Sequence, residues 1–167
     1  GNVYTFGPTF RAENSNTVRH LSEFWMIEPE MAFCDLTGNM RVAEDFIKYV
    51  VSYIFENCSD DLNFLAGQEW VEGDLIQTLE QVVESEADVI EYTEAIKILE
   101  KSGEKFEYPV SWGVELQTEH ERYLTDKYVK GPVFVINYPK DIKGFYMRCN
   151  EEGKTVGAMD MLVPMLG

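Results

Sequence analysis

The side chains best suited to chemistry lie near the start of the chain. Arg11 and Glu13 are two positions apart, so on an extended strand both point to the same face. A guanidinium can hold a phosphate through two donors, and a carboxylate can accept hydrogen bonds from an exocyclic amine. Arg19 and His20 follow closely, and Phe24 offers a flat ring on which a base could stack. Together these residue types suit a nucleoside triphosphate bent over a β surface.

Two extended runs must position these side chains. The first comprises Val3 to Phe6 and continues through Thr9 to Glu13, and the second runs from Phe24 to Phe33. A polar segment, residues 14–20, separates them. Two β-rich runs around a polar segment predict an antiparallel hairpin with a long loop.

Asp160 is the second candidate for chemistry. Its neighbours are Ala158, Met159, Met161 and Leu162, and a carboxylate among apolar side chains needs a partner. A metal ion is one such partner, and Mg²⁺ prefers hard oxygen ligands with few protein contacts. The sequence therefore makes Asp160 a candidate Mg²⁺ ligand.

The cysteines do not indicate a metal site. Cys34, Cys58 and Cys149 are scattered, no CxxC pair occurs, and the chain has 2 histidines. A zinc site is not expected, and a reduced intracellular compartment is the simpler interpretation. The acidic pair Asp60-Asp61 is interpreted as a solvated corner.

Length, composition and charge narrow the function classes. With 167 residues, 45% hydrophobic and 13% aromatic, the chain can build one globular core. The net charge of −16 argues against a nucleic-acid interface, because Lys and Arg dominate such surfaces. No apolar run of about 18 residues and no charged-then-apolar leader is present. The chain starts at Gly1 without Met and stops at Gly167, so both ends are expected to be cuts through a larger protein.

Helical periodicity and turn signals predict the rest of the fold. A turn is expected at residues 35–39, and a strand is expected from Val133 to Tyr138, buried on both faces. Phe145 to Arg148 and Thr155 to Val163 are predicted to form a hairpin. Helices are predicted from Met40 to Phe55, over Leu75 to Val83, over 94–102 with Thr93 as cap, and from Glu119 to Tyr128 behind a Thr118-x-x-Glu121 capping box. With a short strand at Asp88 to Tyr92, this predicts a mixed α/β fold, an antiparallel sheet flanked by helices.

The early stretch also resembles a known family. FRAE at residues 10–13, the loop containing Arg19-His20, and EFWMIEPE at residues 23–30 resemble the second signature motif of class II aminoacyl-tRNA synthetases. The longer sequence of residues 6–33 is similar to that of the asparaginyl members of the aspartyl/asparaginyl subgroup. The resemblance continues in TEAIKIL, WGVELQTEHERYL, FYMR and AMDMLVP, most specifically at 3–33, 110–125 and 132–164.

The resemblance implies a role for each candidate. Arg11 would stabilise the α-phosphate, Glu13 would receive the adenine amine, and Phe24 would stack on the adenine. Arg19 and His20 would hold the outer phosphates, and Asp160 would help bind Mg²⁺. Glu28 and Arg148 would lie on the amino-acid side of the pocket. Glu119, His120 and Glu121 are either structural or close to ATP or substrate, and the sequence leaves both possibilities open.

The resemblance also implies the parent activity, which is ATP-dependent ligation of asparagine to tRNA(Asn) through an asparaginyl-adenylate. The parent is expected to be a cytoplasmic homodimer that holds tRNA mostly through regions absent here. Residues 1–167 would be part of its catalytic domain, with the second motif at about 3–33. The first motif, the third motif, a second metal carboxylate and the anticodon-binding domain are missing, so the fragment alone is expected to be inactive. Three alternatives stay open: an aspartate-specific synthetase, a tRNA-independent asparagine synthetase, and a non-catalytic truncated domain.

Overall fold

The computed structural model of the protein describes residues 1–12 and 20–167. These residues form two compact units, Gly1–Asp35 and Leu36–Gly167. Each unit has its own sheet, with two strands in the first and three in the second.

The first unit is a β-hairpin. Strand β1 spans Asn2–Phe10 and strand β2 spans Glu23–Met31, and they pair antiparallel from Asn2 opposite Met31 to Phe10 opposite Glu23. Aromatic and β-branched residues, which pleated surfaces favour, dominate β1, and β2 contains Phe24, Trp25 and Ile27. Each strand has a free edge, where a proline such as Pro8 or Pro29 is tolerated despite its missing N–H. The predicted hairpin is confirmed.

Side chains alternate between the two faces of this hairpin, and residues that pair across the strands share a face. The two faces differ in chemistry. One is apolar, and on it the rings of Phe6 and Trp25 lie 5.2 Å apart between centroids. The other, called here the polar face, carries Thr5, Gly7 and Thr9 from β1 and Phe24, Met26 and Glu28 from β2.

The second unit contains both helices and strands. Its strands are β3 (Asp88–Glu91), β4 (Val133–Pro139) and β5 (Thr155–Leu162). Its α-helices are α1 (Leu36–Asn57), α2 (Ser59–Ala66), α3 (Leu75–Glu84), α4 (Tyr92–Lys101) and α5 (Thr118–Arg122). A π-helix, Tyr123–Val129, continues α5, and a 3₁₀ turn, Lys140–Ile142, follows β4.

Strand β4 is the centre of the second sheet. It pairs parallel with β3 and antiparallel with β5. Val133, Phe134 and Val135 are at most 1% exposed, so the prediction of a strand buried on both faces is confirmed. The mixed α/β class is confirmed as well, although the parallel β3–β4 pair makes this sheet mixed, whereas an antiparallel one was expected.

Two predicted boundaries are wrong. Residues 35–39 were expected to be a turn, but α1 begins at Leu36. Leu36 is partly buried and lies four residues before Met40, so it extends the apolar stripe of the helix by one turn. Phe145 to Arg148 was expected to be a strand, but these residues form no strand, and only the next residue, Cys149, makes an isolated bridge to Val156. Strand β5 pairs instead with β4, where its apolar face is buried.

The predicted caps are also shifted. Thr93 does not cap α4, because the helix already includes Tyr92 and Glu91 occupies the N-cap position. The capping box at α5 joins Gln117 and His120, one residue before the predicted pair. Helix α2 was not predicted. No helix of the described residues is both long and apolar enough to cross a membrane.

Candidate active site

Arg11 and Phe24 come together on the polar face of the hairpin. The backbone N–H of Arg11 donates to the carbonyl of Ser22 at 2.9 Å, so strand pairing continues one step beyond β1. The alternation then places Arg11 on the polar face. Its guanidinium carbon lies 5.4 Å from the centroid of the Phe24 ring, within the range of a cation–π contact. The guanidinium therefore lies over the Phe24 ring, so the polar face brings together a planar cation and a flat ring, which suit an anionic aromatic ligand.

Glu28 lies on the same face, further along β2. It is four residues from Phe24, a distance of about 13 Å along a strand. Its Oε2 accepts a hydrogen bond of 3.0 Å from the Thr5 hydroxyl, which is its partner across the strands. A ligand extending along this face could contact Arg11, Phe24 and Glu28 together.

Of the other residues predicted to bind ATP, only His20 lies within the described residues. His20 is described and exposed. Glu13 and Arg19 lie outside the described residues, so the predicted shared face of Arg11 and Glu13 stays a prediction.

Asp160 has a close partner in the second unit. The Lys143 ammonium lies 3.0 Å from Asp160 Oδ2 and 4.0 Å from the centroid of the Tyr138 ring. Tyr138 is 2% exposed, and its hydroxyl has no hydrogen-bond partner among the described residues. Burial, and next the negative charge of Asp160, raise the pKa of Tyr138 well above its usual range. The sequence predicted that the Asp160 carboxylate needs a partner. Lys143 is that partner for one of its two oxygens, Oδ2.

The donors around Asp160 fit one kind of metal site and not another. The described residues contain no group of three or more His, Cys, Asp or Glu side chains that could hold a metal ion. An all-protein cage is therefore not formed by them. Mg²⁺ in nucleotide sites is usually held by one or two carboxylates together with substrate phosphates. Asp160, a carboxylate with 43% of its side chain exposed, fits that arrangement.

Arg148 and Asp160 lie on opposite faces of β5. A Cβ added to Gly157 would lie 3.1 Å from Arg148 Nη2, so the arginine crosses the strand on the face to which Gly157 belongs. Asp160 is three residues further along, where a strand presents its other face. Because glycine has no side chain, it leaves the space that Arg148 occupies. The structure does not bring these two candidates together.

The segment that contains Glu119 and His120 has a structural role. His120 is 1% exposed, its Nδ1 accepts from the Gln117 N–H at 3.0 Å, and its Nε2 lies 3.2 Å from the Tyr108 carbonyl. Glu119 accepts from the N–H groups of Glu107 and Tyr108, at 3.0 and 2.7 Å. Burial acts to raise the pKa of Glu119, but the N–H groups of Tyr108 and Glu107 hold it below its ordinary value. The two side chains tie a loop to α5.

An open cavity of about 520 Å³, lined mostly by polar residues, lies beside β3 and β4. Asn150 donates to Asn137 at 3.0 Å and to Thr155 at 2.8 Å, and Asn137 donates to Glu91 at 3.3 Å. The lining polar groups thus bond to one another. None of the predicted site residues lines this cavity: its walls are Glu91, Thr93, Trp112, Asn137, Asn150, Glu152, Lys154 and Thr155.

Sequence reasoning missed Thr5, Lys143 and Tyr138. The first had a signal, because Thr5 is six residues from Arg11 and hence on the same face of a strand. Lys143 and Tyr138 had none, because the loop that returns Lys143 to Asp160 depends on tertiary structure.

Comparison with known proteins supplies the family. Residues 1–166 match the family of class II tRNA synthetases (D, K and N). The chain belongs to this family. The asparagine–tRNA ligase of Clostridium tetani (strain Massachusetts / E88) is 62% identical over 167 residues, which is 100% of this chain and 36% of that relative.

Solved structures agree with the assignment. The asparaginyl-tRNA synthetase of Pyrococcus horikoshii complexed with asparaginyl-adenylate is 37% identical and has a TM-score of 0.84, over 98% of this chain and 35% of the other. The aspartyl-tRNA synthetase of Entamoeba histolytica is 26% identical with a TM-score of 0.76, over 97% and 32%. The chain therefore spans about a third of the length of these class II relatives.

Proposed function

We propose that the chain is part of the catalytic domain of an asparagine–tRNA ligase, which joins asparagine to tRNA(Asn) through an asparaginyl-adenylate. The observation that carries the proposal is the 62% identity to the asparagine–tRNA ligase of Clostridium tetani along the whole chain. It is supported by the similarity to a synthetase solved with asparaginyl-adenylate and by the polar face on which Arg11, Phe24 and Glu28 lie.

In the first step, the asparagine carboxylate attacks the α-phosphate of ATP in line and pyrophosphate leaves. Little covalent work falls to the protein, so alignment and charge placement dominate. Arg11 donates two hydrogen bonds to the α-phosphate as negative charge builds there, and the Phe24 ring stacks on the adenine. Glu13 accepts from the adenine amine, while Arg19 and His20 hold the outer phosphates.

In the second step, the terminal hydroxyl of tRNA(Asn) attacks the adenylate carbonyl and takes the acyl group. Glu28 and Arg148 hold the amino acid during both steps. Asp160 would help hold Mg²⁺ on the ATP phosphates, where the metal would neutralise phosphate charge. The tRNA is held mostly by regions outside this chain, since the net charge here is −16. The protein acts as a homodimer in the cytoplasm.

The test is asparagine-dependent exchange of pyrophosphate into ATP by the full-length protein, with aspartate as the competing substrate. We expect exchange with asparagine and much less with aspartate. Exchange with aspartate alone would instead support an aspartate-specific enzyme, a candidate suggested by the similarity to the Entamoeba aspartyl-tRNA synthetase. Exchange with neither amino acid would reject both.

A further inference from the structure

Lys143 is a partly buried lysine. Lysine side chains are mostly exposed, but that of Lys143 is 23% exposed, less than the 43% of its partner Asp160. Its ammonium has two contacts that hold it in place: the Asp160 carboxylate at 3.0 Å and the Tyr138 ring at 4.0 Å from its centroid. A partly buried ammonium needs such partners, because burial without them is costly.

These contacts occupy one oxygen of the carboxylate that the proposed function assigns to metal binding. The oxygen in contact with Lys143 is Oδ2, and a divalent cation coordinated there would place a second positive centre against the ammonium. The described residues provide no further carboxylate cluster that would take up this charge. Lysine and metal are therefore alternatives at Oδ2.

Tyr138 can hold the Lys143 ammonium when it leaves Asp160. The Tyr138 ring is an attractive surface for a cation, and it already lies beneath the lysine. The Tyr138 hydroxyl is buried with no hydrogen-bond partner among the described residues, so the cluster has one polar atom unused when Lys143 is on Asp160.

We propose that Lys143 is a positioning residue that neutralises Asp160 in the empty enzyme and is displaced from Oδ2 when a divalent metal binds with ATP. This inference rests on the proposed function, because it takes Asp160 as a ligand of the metal–nucleotide complex. Lys143 keeps the carboxylate in a defined orientation before the substrate arrives, and the metal has to compete with it.

The experiment measures binding of the α,β-methylene analogue of ATP to the full-length protein by calorimetry, once with Mn²⁺ and once with EDTA. The ratio of the two dissociation constants gives the effect of the metal alone, so a general change in nucleotide affinity cancels. In Lys143→Met the competing charge is gone, and we expect the metal to improve binding about fivefold more than in the unmodified protein, at the lower end of typical coupling between sites.

Three variants act as controls. Lys143→Arg keeps the charge and should leave the ratio near its original value. Lys140→Met removes an exposed lysine from the preceding 3₁₀ turn and should also leave it unchanged. In an Asp160→Asn background, Lys143→Met should have no further effect, because the two changes act on one interaction. The paramagnetic resonance of bound Mn²⁺ gives an independent measure of its affinity.

An unchanged or smaller ratio in Lys143→Met would overturn the inference, as would a full effect of Lys143→Met in the Asp160→Asn background. If Lys143→Met does not fold, Lys143→Gln replaces it. If neither folds while Asp160→Asn does, Lys143 is purely structural and the inference is wrong. Pyrophosphate exchange by the unmodified protein tests the proposed function separately. If exchange is normal but the metal effect does not increase in Lys143→Met, only the inference about Lys143 is wrong.

Discussion

The Thr5 hydroxyl and the Glu28 carboxylate are joined by a 3.0 Å hydrogen bond across the two strands of the hairpin. The bond occupies one acceptor site on Glu28 Oε2 and limits how the carboxylate can rotate. The bond leaves Oε1 without a hydrogen-bond partner among the described residues, so a bound amino acid could donate to it. If Glu28 holds the amino acid, Thr5 fixes the direction from which it does so.

Removing this hydroxyl should weaken asparagine binding and leave ATP binding intact. We expect Thr5→Val, which is similar in shape, to raise the KM for asparagine about fivefold, the equivalent of one hydrogen bond of about 1 kcal/mol. Thr5→Ser should restore the value. Thr9→Val, on the same face of the same strand, is the matched control. An unchanged KM for asparagine in Thr5→Val would show that the bond has no part in substrate binding.

The choice between asparagine and aspartate tests Glu28 directly. The two amino acids are nearly isosteric, so they differ mainly in that an amide donates hydrogen bonds and a carboxylate only accepts them. If Glu28 contacts the side chain, Glu28→Gln removes a repulsion against aspartate and should bring the two kcat/KM values closer together. If it contacts the ammonium group, both values fall and their ratio is constant. We expect the ratio to change, and kinetics of the full-length variant with both substrates will show it.

Arg11 should be sensitive even to a change that keeps its charge. Lysine cannot present the planar pair of donors, and it would stack less well on Phe24. We expect Arg11→Lys in the full-length protein to lower the rate of adenylate formation about a hundredfold, as expected for loss of one donor to the transition state. Single-turnover measurement of adenylate formation gives this rate. A change of less than about threefold would mean that Arg11 has a structural role.

The hairpin and the central strand were predictable because their patterns are local. Alternation over residues 2–10 and 23–31 defines a strand pair, and the apolar run of β4 defines a buried strand. The pairing of β5 was not predictable in the same way. The sequence predicts strands both at residues 145–148 and at β4, so either could pair with β5. Burial of the apolar face of β5 favours β4 as its partner.

The candidate site shows the same division. The hairpin that carries Arg11 and Phe24 could be predicted, but only the register of its strands in the structure places the two side chains on one face. The Lys143–Asp160 pair could not be predicted, because 17 residues separate the two in sequence and their approach depends on the turn after β4. For Arg148, the decisive feature is the absence of a side chain at Gly157, which no charge or hydrophobic pattern indicates.

Glu119 should make stability depend on pH in the acidic range. Its pKa in the folded protein is below the ordinary value because the backbone N–H groups of Tyr108 and Glu107 outweigh the effect of burial. The stabilisation is therefore present above the ordinary carboxyl pKa of about 4.3 and is lost as the pH falls through the lower folded value. Glu119→Gln should lower stability at neutral pH and flatten the decline towards acidic pH. Urea unfolding across this pH range measures both.

Glu94 provides the control for this effect. Its carboxylate forms an exposed pair with Lys97 at 3.3 Å, and exposed pairs contribute little. Glu94→Gln should leave the decline towards acidic pH as it is in the unmodified protein. An equal flattening in both variants would mean that the pH dependence does not come from Glu119.

Gly157 offers the most selective way to disturb Arg148. In Gly157→Ala the new methyl group would lie 3.1 Å from Arg148 Nη2, so the end of the arginine must move by a few tenths of an ångström. If Arg148 holds the amino acid, we expect the KM for asparagine to rise about threefold while the KM for ATP stays constant, because small misplacements of a binding group weaken alignment. Gly67→Ala, whose new methyl group would meet only backbone oxygens at 3.5 and 3.7 Å, is the matched control. Thermal unfolding of both variants shows whether the fold is preserved. Equal effects on both substrates would place Arg148 outside the amino-acid pocket. Arg148, which lies on the face of β5 opposite Asp160, would then have a structural role.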